Sequence, residues 1–129
     1  EIRLSLVGSE MCIRDSQRLV FYQKGTPIVD TPIVSGNPDI EGCGTPTGCY
    51  ALDAKESPAV LTGEDYEANV TYWMPFAGNV GIHDASWRSE FGGNLYLWEG
   101  SHGCVNVPYD KAAEIYANIE VGMPVVVYE

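Results

Sequence analysis

The chain has 129 residues, of which 18 are acidic and 7 basic, giving a net charge of −11, with four cysteines and two histidines. That length fits one domain, large enough to bury a core without metals or disulfides. The acid excess and the absence of basic clusters argue against nucleic acid or an anionic membrane surface as partner, and no apolar run approaches a transmembrane span.

Leu6 to Ser16, once back-translated, resemble a sequencing-library transposon adapter read in one frame. Residues 1–16 are therefore expected to be a non-native, adapter-derived segment, and residues 17–129 the domain. A genuine leader is disfavoured because the stretch has no long apolar core and no A-x-A-like site. If the natural first strand began before Gln17, the adapter would have replaced part of an edge strand.

From Arg18 to Gln23 the residues alternate, with β-branched and aromatic content, and Lys24-Gly25 mark a turn before a returning strand over Ile28 to Ser35. Pro27 and Pro32 cannot donate to a ladder, so the return strand is predicted to lie at an edge or to be interrupted. Gly36 to Gly48 is loop, and Cys49 to Asp53 resumes extended structure. Cys43 and Cys49 flank the turn-rich Gly44-Thr45-Pro46-Thr47-Gly48. Either they form a disulfide, worth on the order of 2 kcal/mol by chain entropy, or they are two reduced thiols near a loop.

Ala54 to Ala68 shows no clear periodicity, which predicts an excursion across the surface. Val70 to Met74 and Val80 to His83 read as strands, the second delivering His83 at its end. Trp87 to Gly100 is rich in aromatics and glycines. Tyr109 to Ile119 is the one convincing helix, with Ala112, Ile115, Tyr116 and Ile119 on one stripe and Pro108 and Asp110 suited to its first turn. Pro124 to Tyr128 reads as a final buried strand. Many short strands with one principal helix predict a mainly β domain.

Ser101-His102-Gly103-Cys104-Val105-Asn106 carries the chemistry. A thiol attacks as the thiolate, and a histidine or a positive dipole is needed to make thiolate at neutral pH. His83 and His102, the chain's two histidines, both bear on Cys104. By spacing alone Cys104 is equally a small buried hydrophobe, and His83, Asp84, His102 and Cys104 equally a metal set, though without the paired ligand spacing of a strong zinc motif.

These residues resemble the signature of the YkuD-type L,D-transpeptidase catalytic domain: His83, then seventeen residues, then Ser101 to Asn106. Gln17 to Tyr22, Thr45 to Gly48, Ile82 to Ala85, Trp87 and Phe91-Gly92 are similar to further parts of that family, from about Gln17 to the end. The resemblance implies a β-sandwich and peptidoglycan cross-linking through a thioester on Cys104. His83 is the expected general base. His102 is expected to shape the loop or assist the oxyanion site, and is the second candidate base. The backbone N–H groups of Gly103 and Cys104 are the expected oxyanion donors, with Ser101 and Asn106 orienting the loop. Tyr72, Trp73, Trp87 and Arg88 are candidates to line the donor groove or, for the aromatics, to pack in the core. Asp84 either orients His83 or ends a strand.

The family also implies peptidoglycan stem peptides as donor and acceptor, carbapenem-type β-lactams as inhibitors, no cofactor or metal, and an extracytoplasmic, cell-envelope setting with upstream domains or a membrane anchor. An L,D-carboxypeptidase using water, and a non-catalytic wall-binding module, are the alternative functions.

Overall fold

The computed structural model describes residues 10–14 (as backbone), 17–36, 44–62, 67–78, 80–93, 95, 101 and 103–128. Ten strands and one principal helix follow one another as β1 (Glu10–Arg14), β2 (Arg18–Gln23), β3 (Thr26–Pro32), β4 (Gly48–Ala51), β5 (Ala59–Thr62), β6 (Glu67–Val70), β7 (Trp73–Ala77), β8 (Val80–Asp84), β9 (Val105–Val107), α1 (Tyr109–Asn118) and β10 (Pro124–Tyr128). The first sheet has the order β3-β2-β1-β10-β4, the second β7-β8-β9, and β5 with β6 makes a small hairpin. The sheets form a sandwich-like arrangement, as the family resemblance implies.

The β2–β3 hairpin follows from its sequence. Lys24 and Gly25 both have positive φ, 53° and 80°, which gives a two-residue turn whose twist matches that of the strands it joins. Leu19 and Phe21 on β2 and Val29 on β3 point inward and are buried. The proline-bearing β3 lies at the sheet edge, where a missing N–H leaves no gap in a ladder.

Helix α1 buries Ala112 and Ile115, with Ile119 just past its end, and packs on β3 and β8. Full burial of a side chain such as Ile115 contributes about 1.5–3 kcal/mol. From β10, Val125 and Val127 reach the same core.

Three elements differ from the sequence expectation. Glu10–Arg14, assigned there to a segment outside the domain, forms β1 in the middle of the first sheet rather than at an edge. It pairs antiparallel with β2 and parallel with β10. The stretch expected only to cross the surface holds the β5–β6 hairpin. Its apolar residues do not keep to one face, Val60 being 56% exposed, so the period-2 signal is blurred. The strand expected over Val70 to Met74 is divided at Thr71-Tyr72, because the Asp84 carboxylate accepts both their N–H groups at 2.7–3.1 Å.

Gln17 closes the turn into β2 with φ of 63°, a region that disfavours a side-chain-bearing residue. Three hydrogen bonds hold it there while it is fully buried. Its carbonyl accepts from the Ile33 N–H (3.0 Å), its Oε1 from the Ser35 N–H (2.9 Å), and its Nε2 donates to Ser35 Oγ (2.7 Å).

Removing β1 would leave β2 and β10 with facing rows of unpaired peptide groups, each costing about 1–3 kcal/mol where burial persists. A chain lacking residues 1–14 is therefore expected to lose its cooperative thermal transition in far-ultraviolet circular dichroism. An unchanged melting temperature would remove β1 from the domain.

Candidate active site

His83 and Cys104 are brought together by a parallel pair of strands. In the β8–β9 register Ile82 faces Val105, His83 faces Asn106 and Asp84 faces Val107. Cys104 immediately precedes β9 and reaches back to Gly81, whose backbone hydrogen-bonds its thiol. Alternate residues of a strand share a face, so Gly81 and His83 on one strand align with Cys104 and Asn106 on the other. Gly81 has to be glycine: a Cβ there would lie 2.6 Å from Pro75 Cα and 2.8 Å from Met74 O on β7.

The His83 ring is 4% exposed. Its Nδ1 lies 2.7 Å from the Asp84 carbonyl, which can only accept, so Nδ1 carries the proton and Nε2 presents a lone pair. Asn106 fits that tautomer in the amide orientation that avoids like-to-like contacts. Its nitrogen donates to His83 Nε2 at 3.1 Å, and its oxygen accepts from Arg88 Nε and Nη2 at 2.8 and 3.1 Å. Asp84 thus orients His83 through its main-chain carbonyl, while its carboxylate serves Thr71 and Tyr72. The rings of Trp73 and Trp87 stand 6.0 and 5.9 Å from the imidazole.

Burial governs the resting protonation. It holds the His83 imidazole below its ordinary pKa, with the Asp84 contacts opposing this and the Arg88 charge adding to it. It pushes the Cys104 thiol up, against the hydrogen bond from Gly81, which favours thiolate. At neutral pH the resting pair is thiol and neutral imidazole.

The loop before Cys104 is held by side chains. Ser101 Oγ accepts from the Gly103 N–H at 3.2 Å and donates to the Cys104 carbonyl. Thr45 Oγ1 donates to the Gly103 carbonyl at 2.6 Å. Gly103 has φ of 127°, which a side-chain-bearing residue adopts only with strain. Its N–H, one of the two oxyanion donors expected from the sequence, is here engaged by Ser101.

Of the other expected site residues, Trp87 is 54% exposed and, with Arg88, Ser89, Glu90 and Leu95, lines a pocket of about 320 Å³ beside His83. Tyr72 packs against Tyr109 and Tyr116, with ring centroids 5.8 and 5.0 Å away, and its pKa is raised chiefly by the hydrogen bond with Tyr109. His102 and Cys43 lie outside the described residues. Cys49 is an exposed, free thiol on β4 rather than half of the bridge to Cys43 that the sequence left open. Among the described residues no three His, Cys, Asp or Glu side chains converge as a metal site would require. Sequence reasoning missed Thr45 and Gln17 as parts of the site. Their signal was membership of the family-like segments Gln17 to Tyr22 and Thr45 to Gly48, which did not indicate what these two side chains hold.

A mainly β domain that sets a cysteine and a tautomer-fixed histidine on adjacent strands has the arrangement of a cysteine-dependent enzyme domain. Residues 9–127 match the YkuD L,D-transpeptidase catalytic domain, and the chain belongs to that family. The match begins eight residues before Gln17, in keeping with the place of β1. No curated protein matches the chain. Among solved structures it is similar to the Enterococcus faecium L,D-transpeptidase in a cysteine-to-serine mutant form, at 37% identity and TM-score 0.87, over 93% of this chain and 49% of that one. It is also similar to the Ldtfm–avibactam carbamoyl enzyme, at 36% identity and TM-score 0.89, over 96% and 50%. The catalytic domain of the E. faecium enzyme acylated by ertapenem matches at 38% identity and TM-score 0.82, over 93% and 96%. The chain thus spans about half the length of the first two and nearly all of the isolated domain.

Since the folded-state pKa of His83 lies below the unfolded value of about 6.5, its contribution to stability is complete above that value and is lost as pH falls through the folded one. Urea unfolding at pH 7 and pH 5 is expected to show a fall in stability that His83→Gln partly flattens. A pH dependence unaltered by the substitution would mean that His83 does not titrate as its burial dictates.

Proposed function

We propose that this domain is a peptidoglycan L,D-transpeptidase acting in the cell envelope, with Cys104 as nucleophile and His83 as base. The observation that carries this reading is the Asp84 carbonyl at His83 Nδ1, which makes Nε2 the accepting atom on the strand face shared with Cys104 and Asn106, the Asn106 amide having to turn as Nε2 takes a proton. Cys104 Sγ attacks the amide carbonyl that precedes a D-amino acid in the donor stem, and the thiol proton passes to Nε2. The tetrahedral oxyanion needs a fixed donor, for which the Cys104 N–H is the loop's candidate. Collapse breaks the C–N bond, the proton goes from His83 to the departing amine, and a thioester remains on Cys104.

An acceptor amine from a second stem then attacks the thioester. His83 takes the proton of that amine and returns it to the departing thiolate, leaving an amide cross-link. The pocket along Trp87, Arg88, Ser89, Glu90 and Leu95 supports binding of a stem peptide there, because Trp87 offers an exposed apolar face next to the imidazole. Inhibition by carbapenems and by avibactam is part of the proposal, supported by the acylated and carbamoylated states of the similar enzymes. His102 is retained in it as a residue of the nucleophile loop.

Incubation of the domain with a tetrapeptide-stem donor and an amine acceptor is expected to give a product with the mass of the amide cross-link. Cys104→Ala should lower its rate by at least about a thousandfold. A hydrolysed donor alone would point to an L,D-carboxypeptidase. Equal turnover by Cys104→Ala would overturn the cysteine mechanism, and binding without any product would leave a wall-binding module.

A further inference from the structure

We infer that Thr45 is a positioning residue for acyl transfer, because its hydroxyl holds the Gly103 carbonyl and so sets the plane of the peptide whose other end is the Cys104 N–H. The inference rests on the acyl-transfer reading of Cys104 above.

Thr45 lies 58 residues before Gly103 in the chain, in the turn ahead of β4. Its Oγ1 accepts from the Gly36 N–H at 3.0 Å and donates to the Gly103 carbonyl at 2.6 Å. A hydroxyl has one proton, and because the Gly36 N–H occupies an oxygen lone pair, that proton is directed to Gly103. The Gly103–Cys104 peptide is planar and trans, so its C=O and N–H point in opposite directions. Fixing the carbonyl on Thr45 therefore aims the Cys104 N–H away from Thr45.

Gly103, at φ of 127°, has no Cβ to resist rotation of this peptide. Ser101 holds the peptide groups on either side, the Gly103 N–H and the Cys104 carbonyl, but not the Gly103 carbonyl itself. That carbonyl is left to Thr45. Gly36 is in turn part of the strap 33–36, which Gln17 anchors through Ile33 and Ser35, so Thr45 transmits a buried framework to the nucleophile.

An oxyanion donor matters only where a tetrahedral oxyanion forms. Acylation of Cys104 by ertapenem forms one, whereas alkylation by iodoacetamide, a direct displacement at carbon, does not. Both rates can be followed on the Cys104 peptide by mass spectrometry, with the melting temperature measured alongside. Thr45→Val is expected to slow acylation about 10- to 100-fold, less than the loss for deleting a donor outright, while alkylation stays within about twofold of wild type. Thr45→Ser, which restores the hydroxyl, should recover most of the acylation rate. Thr45→Ala is read the same way should Thr45→Val not fold. Acylation at the wild-type rate in the valine or alanine variant, or equal slowing of acylation and alkylation, would overturn the role. Failure of the wild-type domain itself to be acylated would overturn the acyl-transfer reading and this inference with it.

Discussion

The parallel pairing of β8 with β9 is the constraint on which the site depends. Parallel neighbours cannot be joined by a tight turn and need a crossover of a dozen residues or more. Here the chain leaves β8 at Asp84 and returns at Val105. That obligatory excursion carries Trp87, Arg88 and Ser101, so one topological requirement supplies both the lining of the pocket and the approach to the nucleophile. The same pairing sets Asn106 beside His83 and Cys104 beside Gly81, without any long-range loop having to find its place. Lack of a side chain at Gly81 allows β7 to close over β8, which puts Trp73 opposite His83.

A second sheet has to hold this arrangement from outside. The strap that follows β3 does so by main-chain bonds: Val34 exchanges N–H···O bonds of 2.8 and 3.0 Å with Asn106, and the Ser35 carbonyl accepts from the Ser101 N–H at 3.1 Å. Gln17 anchors the strap in a conformation that costs about 1–2 kcal/mol for a non-glycine residue. Its hydrogen bonds run through residues directly joined to the loop before Cys104, so the strained turn at the start of β2 and Cys104 belong to one mechanical unit. Stability and site geometry are therefore coupled: β1, β2 and β3 are needed to keep the strap in place.

Local patterns in the sequence revealed the local structure. The β2–β3 hairpin, the edge place of β3, α1 and β10 were legible because alternation, a Lys-Gly turn, a helical stripe and proline chemistry act within a few residues. β9 was not legible, since Val105-Asn106-Val107 is too short to show a period and its partner is remote. β1 was obscured differently: the adapter likeness of residues 6–16 says where codons resemble others, whereas pairing between β2 and β10 depends on backbone groups that any extended segment can offer. At the site, Cys104 and His83 could be read from the motif, but the relay from Arg88 through Asn106 could not. Gly103, with its positive φ, breaks the extended run before Cys104.

In the proposed mechanism the resting neutrality of Cys104 and His83 is the central difficulty for proton transfer between them. Burial disfavours each ion separately, yet the transfer creates both charges at once. Opposite charges formed together in a site of reduced dielectric attract each other, which offsets part of that desolvation. The remaining stabilisation is already in place, since the Gly81 hydrogen bond favours the thiolate and the Asp84 carbonyl faces the Nδ1–H of the imidazolium. Arg88 acts in the opposite sense, by its charge and by holding the Asn106 oxygen so that the amide nitrogen faces Nε2. An imidazolium would present an N–H to that nitrogen, so Asn106 must turn its oxygen toward the ring and release Arg88. In the proposed mechanism the thiolate is thus costly in the empty site, and a bound acyl donor would supply the electrophile that consumes it, so that a buried cysteine would not form its reactive state without substrate.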